Sequence, residues 1–225
     1  MLAVPAMQLI AYLALPAHAG EKILSDADNN LILTSSALVL LMTPGLAFFY
    51  GGFTQAKNVL NTMIMSFVMM GIATIVWLIF GFSLSFSDGG SLNAFIGNPF
   101  TYSFFENVPE VWYGLQIPGL SFALFQGMFA IITPALISGA LVERISFRFW
   151  CFFTPIWLLI VYAPLAHMVW GGGLLGKDLD FAGGTVVHIS SGVSALVLAS
   201  LIGSRSNHPE GVKPPHNVTQ ILLGT

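Results

Sequence analysis

An imidazole stands inside an apolar run, and a carboxylate stands at its mouth. The stretch is DFAGGTVVHISSGVSALVLASLIG, Asp180 to Gly203, and from Gly183 onward it carries no formal charge. If a helix opens near Asp180, His188 lies about 12 Å along it. An ionisable side chain at that depth faces a bundle interior or a water-filled cavity and marks a functional position by default. Low dielectric disfavours imidazolium. A neutral ring donates at one nitrogen and accepts at the other, which suits a proton relay or a polar ligand. The competing reading is a helix–helix hydrogen bond with no further role. Asp180 has two compatible readings. One is a helix cap, its carboxylate accepting backbone N–H bonds at the positive dipole end. The other is a recruiter of cations in an outer vestibule.

Trp170, in AHMVWGGGLL, sits where another apolar run ends. It reads either as an interfacial belt residue or as the face of a cation site worth about 0.5–2 kcal/mol. Gly171, Gly172 and Gly173 let the chain turn closely around whatever the indole faces. His167 reads as polar wall, without chemistry. In FALFQGMFAII, Phe125 and Phe129 are four apart and share a helix face. They are either ordinary packing or a stacked hydrophobic gate that rejects hydrated ions. Pro44 and Gly45 permit a kink or close packing. Glu143 and Arg144 read as a local ion pair or cap.

These residues must be positioned by membrane-spanning helices. The 225-residue chain is 56% hydrophobic and 8% charged, against about 25% charged in soluble domains. Its mean hydropathy is +0.83. Runs of about 20 apolar residues indicate helices, whereas a barrel would show alternating segments of about ten. The expected fold is therefore all-α and integral to the membrane. Five full spans are predicted: Leu31 to Phe53, Leu60 to Phe86, Leu120 to Val142, Phe147 to Val169, and Gly183 to Ile202. A sixth starts at Val218 and stops too soon to cross the bilayer. Residues 1–19, ending Ala17-His18-Ala19, resemble a signal peptide without a basic n-region. Residues 20–225 are expected to form one membrane domain, truncated within its sixth helix.

Lys57, Arg144, Arg148, Arg205 and Lys213 fall on one side of the predicted spans, and Lys22 and Lys177 on the other. The excess marks the cytoplasmic side and puts the N-terminus outside. The loop from Ser87 to Gly119 is then external and expected to fold over the outer surface. No basic patch points to nucleic acid. Cys151 is the single cysteine and reads as a small buried hydrophobe.

In order and spacing, the motifs TPGLAFFYGG, KNVLNTM, FQGMFAIITPALISGALVERISF, AHMVWGGGLL, DFAGGTVVHISSGVSALVLASLIGSR and KPPHN resemble the Amt/Mep/Rh ammonium transporters, covering Leu31 to Thr225. Trp170 favours the Amt/Mep branch. The resemblance implies the first repeat of an eleven-helix inverted-repeat transporter, usually a homotrimer with one pore per subunit. It implies that Trp170 and Phe129 form the outer cation site, with Asp180 supporting it. Phe125 and Phe129 would form the gate, and His188 the first of two pore histidines. The second histidine and an outer-site serine would belong to the other half. Ammonium and ammonia are the implied substrates, with no cofactor and no metal. A cytoplasmic PII-type regulator is a possible partner by analogy.

The alternatives are a membrane ammonium sensor or receptor, or a structural subunit in which His188 and Trp170 only pack. The resemblance implies no enzyme activity; a soluble hydrolase is excluded by composition, and no G-x-S-x-G nucleophile motif is present. A water or glycerol channel would favour paired Asn-Pro-Ala half-helices, which are absent.

Overall fold

The computed structural model describes residues 24–176, 180–205 and 214–225. The signal peptide expected at residues 1–19, together with Lys22, Lys177 and Lys213, lies outside them. The described residues contain six helices of interest: α1 Asp26–Phe53, α2 Ala56–Phe86, α3 Gly119–Leu141, α4 Phe147–Trp170, α5 Gly184–Ile202 and α6 Val218–Gly224. The first five are long and apolar enough to cross a membrane. No strand forms among the described residues.

Local chemistry sets the ends. Ser25 opens α1, its hydroxyl accepting from the Asp28 N–H at 3.2 Å, with Asp26 and Asp28 in the first turn. Carboxylates there meet the positive end of the helix. This is why α1 starts five residues before its apolar run. At the far end Thr54 leaves the helix and its hydroxyl donates to the Gly51 carbonyl.

Three tryptophans staple the bundle. Buried in hydrocarbon, an indole N–H without a partner is expensive, and each of these finds one on another helix. Trp77 of α2 donates to the Ala123 carbonyl of α3 at 3.0 Å. Trp150 of α4 donates to the Met65 carbonyl of α2 at 2.8 Å. Trp157 of α4 donates to the Ser194 hydroxyl of α5 at 2.9 Å. The best-enclosed span is α3, which packs against α1, α2 and α5. Where α1 meets α6, Gly52 and Gly224 leave no room for a Cβ against the facing backbone.

The loop ends segregate onto two sides. At the Trp170 side, the Ser25 N–H bonds the Gln116 carbonyl at 2.8 Å, and the Ser87–Gly119 connection folds into an aromatic cap. Trp112 and Phe122 stack there at 4.3 Å, beside Phe86 and Tyr102. Burial, with help from the neighbouring Tyr113 hydroxyl and charge, pushes the Tyr102 phenol up to about 12. At the Lys57 side, Glu143 does not bond its neighbour Arg144. Its carboxylate accepts from the Gln55 N–H (3.1 Å), the Gln55 amide (3.2 Å) and the Asn58 amide (3.0 Å). Burial acts to raise the Glu143 carboxyl, but these bonds and the Arg205 charge outweigh it and hold it below its ordinary value. Arg144 instead donates to the Ala199 and Gly203 carbonyls that end α5. The expected local pair is thus two separate tethers between loops. Long flexible side chains reach unsatisfied backbone and amide groups more readily than each other across one peptide unit.

Candidate functional site

The site begins with the turn that opens α5. Gly183 takes the left-handed conformation at φ 79°, which glycine adopts without a steric penalty. That bend carries the chain back so that the Asp180 carboxylate reaches the helix mouth. One oxygen accepts from the Gly184 N–H at 2.7 Å; the other accepts from the N–H groups of Thr185 (2.8 Å) and Val186 (3.1 Å). Burial works to raise the Asp180 carboxyl, and these backbone donors overcome it and hold the group below the usual carboxylate range. Both oxygens are therefore committed to the helix. The cap reading describes the carboxylate itself. Asp180 reaches the indole by another atom: its backbone carbonyl accepts from Trp170 Nε1 at 2.9 Å.

Trp170 closes α4 and is half-buried. Its ring centroid lies 6.0 Å from that of Phe129, tilted by 58°. Phe129 in turn lies 5.0 Å from Phe125, with the planes at 87°. The two phenyl rings meet edge to face, not plane to plane. Two rings one turn apart on a single helix adopt the arrangement that their quadrupoles favour. The Phe129 carbonyl accepts from the Thr133 hydroxyl.

Beyond Phe129 lies a cavity of about 500 Å³, mostly apolar, walled by α1, α3, α5 and α6. His188 and Phe129 both line it, with Met42, Phe49 and Leu136. The first turns of α5 are π-helical, Gly184–Ile189. The His188 N–H bonds the Gly183 carbonyl five residues back at 3.0 Å. The imidazole is exposed and has no hydrogen-bond partner among the described residues. The helix–helix hydrogen bond offered as the bland role of His188 is not made within them.

The structure thus sets Trp170 against Phe129, Phe129 against Phe125, and Phe129 and His188 on the wall of one cavity, with the Asp180 carbonyl holding the indole. Chemically, these residues offer an indole beside a phenyl ring, a mostly apolar cavity and an unengaged imidazole. Sequence reasoning read His167 as polar wall without chemistry and did not foresee its partners. His167 is fully buried, with each ring nitrogen within hydrogen-bond distance of a main-chain carbonyl oxygen, at Ser85 and Asn93. Sequence reasoning also missed the π-turns and the carbonyl route from Asp180 to Trp170. Nothing local in the sequence signals these, because each depends on a partner from another segment or on a helical phase. No cluster of three or more His, Cys, Asp or Glu side chains suited to a metal occurs among the described residues.

Residues 30–225 match the family model described as Ammonium Transporter Family. An ammonium transporter of Aquifex aeolicus is 43% identical over 211 residues, covering 92% of this chain and 49% of that protein. The crystal structure of Candida albicans Mep2 superposes with a TM-score of 0.80 at 35% identity, covering 89% of this chain and 45% of that one. A structure titled Sensor Amt Protein gives a TM-score of 0.77 at 28% identity, covering 87% of this chain and 50% of that one. The chain spans about half the length of the curated relatives it matches.

Proposed function

From the premise that the chain belongs to the Ammonium Transporter Family, we propose that it builds one wall of an ammonia pathway and the ammonium site at its mouth. Residues 20–225 are the N-terminal part of the transport domain, the first repeat of an eleven-helix inverted-repeat subunit that assembles as a homotrimer. It sits in the inner or plasma membrane with the N-terminus and Trp170 outside. The loops at Lys57, Arg144 and Arg205 then face the cytoplasm, where a PII-type regulator would dock. One observation carries the reading: Phe129 lies 6.0 Å from Trp170 and also lines the cavity that holds His188.

Charge energetics dictate the order of events. Taking an ion into a low-dielectric interior costs about 20 kcal/mol by the idealised Born estimate, and one cation–π contact returns about 2. The dry cation does not pass two phenyl rings on that contact. Dividing the substrate removes the difficulty. Ammonium binds at Trp170 and Phe129, outside the rings. Desolvation disfavours its charged form, lowering an amine-like pKa that starts near about 10. The proton passes to water at the outer mouth, from which a relay carries it inward, and neutral ammonia passes Phe125 and Phe129 to His188. There the imidazole donates to it, accepts from it, or passes a proton along a relay. Potassium has no proton to release, so the same path rejects it. Asp180 serves the site indirectly, by fixing the turn whose carbonyl holds the indole.

Transport is measured on the completed protein, this chain continued through a second half, in liposomes. Trp170→Leu is expected to raise the half-saturating ammonium concentration about tenfold, since a partly desolvated cation–π contact is worth 1–2 kcal/mol. An unchanged half-saturation in folded protein would sink the outer site. The isolated 225-residue chain is expected to give no uptake, because a half-lined path leaves polar groups facing lipid. Saturable methylammonium uptake by that chain alone would refute this. The similarity to a protein titled as a sensor keeps a second reading open to the same assay: ligand-dependent protection of the site without flux.

A further inference from the structure

We propose that His167 is a positioning residue for Trp170, joining the outer loop to the turn that presents the indole. The proposal rests on the outer-site reading above and assigns that site a new member. His167 is 0% exposed. Its Nδ1 lies 3.1 Å from the Ser85 carbonyl and its Nε2 lies 2.8 Å from the Asn93 carbonyl. Whichever nitrogen carries the proton, at least one N–H donates to a main-chain oxygen. Both oxygens belong to the segment that leaves α2 and enters the outer loop, far away in sequence. Main-chain acceptors do not vary with side-chain identity, so the ring reads the path of that backbone.

The same residue holds the turn from the other side. Its carbonyl accepts from the N–H groups of Gly171 (3.0 Å) and Gly173 (3.1 Å). The Leu174 N–H bonds the Ala94 carbonyl at 2.8 Å, one residue from the Asn93 oxygen that the ring faces. A Cβ on Gly171 would meet the Ser85 carbonyl oxygen and the His167 ring, and a Cβ on Gly173 would lie 2.9 Å from the Ala94 oxygen. The turn after Trp170 and the loop around Ser85 and Asn93 are therefore in direct backbone apposition, with His167 between them. Trp170 follows His167 by three residues and ends the same helix. Its indole has one further fixed point, the Asp180 carbonyl. Loosening the His167 joint frees the helix end that aims the indole at Phe129 and leaves His188 and its cavity untouched.

The test is a double-mutant cycle on the completed transporter in liposomes, reading the concentration dependence of the ammonium-evoked current. His167→Ala and His167→Gln are each made in the wild-type and Trp170→Leu backgrounds. His167→Ala is expected to raise the half-saturating concentration about tenfold, as the loss of one or two hydrogen bonds would, with a smaller change in maximal current. His167→Gln, which keeps an N–H donor, is expected to recover part of that shift. In the Trp170→Leu background neither change should shift half-saturation further. Three results overturn the proposal: an unchanged half-saturation in folded His167→Ala, a shift of the same size in both backgrounds, or loss of folding in both variants. The last two would assign the ring to the scaffold alone. If Trp170→Leu itself leaves half-saturation unchanged, the outer-site reading fails. If it shifts while His167→Ala does not, only the positioning role fails.

Discussion

His188→Ala is expected to cut the ammonium current of the completed transporter at least about tenfold, the lower end of what a positioned proton-transfer group contributes or somewhat below it, while leaving thermal stability nearly unchanged. The two halves of that expectation come from one observation. The imidazole is exposed to the cavity and has no hydrogen-bond partner among the described residues, while its neighbours Val186 and Val187 are buried. Within this half of the transporter, removing an unengaged ring breaks no hydrogen bond and costs little, about 0.5 kcal/mol or less for a side chain outside the packed core. A packing residue would behave in the opposite way, giving lost stability before lost flux. Currents after ammonium and potassium pulses, paired with unfolding curves, separate the cases. A full ammonium current in the variant would remove His188 from the path. An ammonium-only current in the wild type that falls in the variant would place the ring in a selective, charge-moving route. No wild-type current from folded protein would leave neutral conduction or sensing, and the proton relay would be withdrawn.

Asp180→Ala is expected to damage both fold and site. The carboxylate accepts three backbone N–H groups at the mouth of α5. Losing a cap of this kind costs about 1–2 kcal/mol, or roughly 2–8 °C in melting temperature for a domain of this size. The turn that loosens also supplies the carbonyl for Trp170, so half-saturation should rise together with the stability loss. Acid should act similarly on the wild type. The folded carboxyl is held below its ordinary value. Its contribution is therefore present above the unfolded value of about 3.9 and is lost as pH falls through the lower folded value. The variant lacks this component of acid sensitivity. Melting curves of both proteins from pH 7 down to pH 3 test it. A wild type and variant with equal stability at neutral pH would show that the cap contributes nothing.

The bundle was largely legible because lipid makes strong demands. Backbone polar groups in hydrocarbon must be bonded within the segment, so long apolar runs read directly as helices. The starts were less legible. Hydropathy places the first span at Leu31, but the helix begins at Asp26, where a serine cap and two carboxylates make a polar first turn. At the candidate site, the sequence supplied the residue types and the family resemblance supplied their pairing. The sequence reading set His188 apart from His167 as the functional histidine, but it could not show what each ring meets. Both lie in apolar surroundings, yet one is gripped by carbonyls 82 and 74 residues away and the other meets open cavity. That difference is tertiary. The roles of Glu143 and Arg144 were unreadable for the same reason: their partners belong to other loops.

Among the described residues, three π-turns, at Trp77–Gly81, Leu158–Tyr162 and Gly184–Ile189, act as phase shifters. A π-turn holds an extra residue in a single turn, and one residue of an α-helix corresponds to about 100° of rotation. Each interrupted span is therefore two helical pieces in series whose faces are out of step. In α2, α4 and α5 one piece can answer to lipid while the other answers to the interior, although the axis continues. Deleting one residue from such a turn would restore an unbroken α-helix of ordinary composition and hydropathy. It would also swing every side chain on one side of the deletion about a quarter turn away from its partner. In α5 the π-turn contains His188 itself.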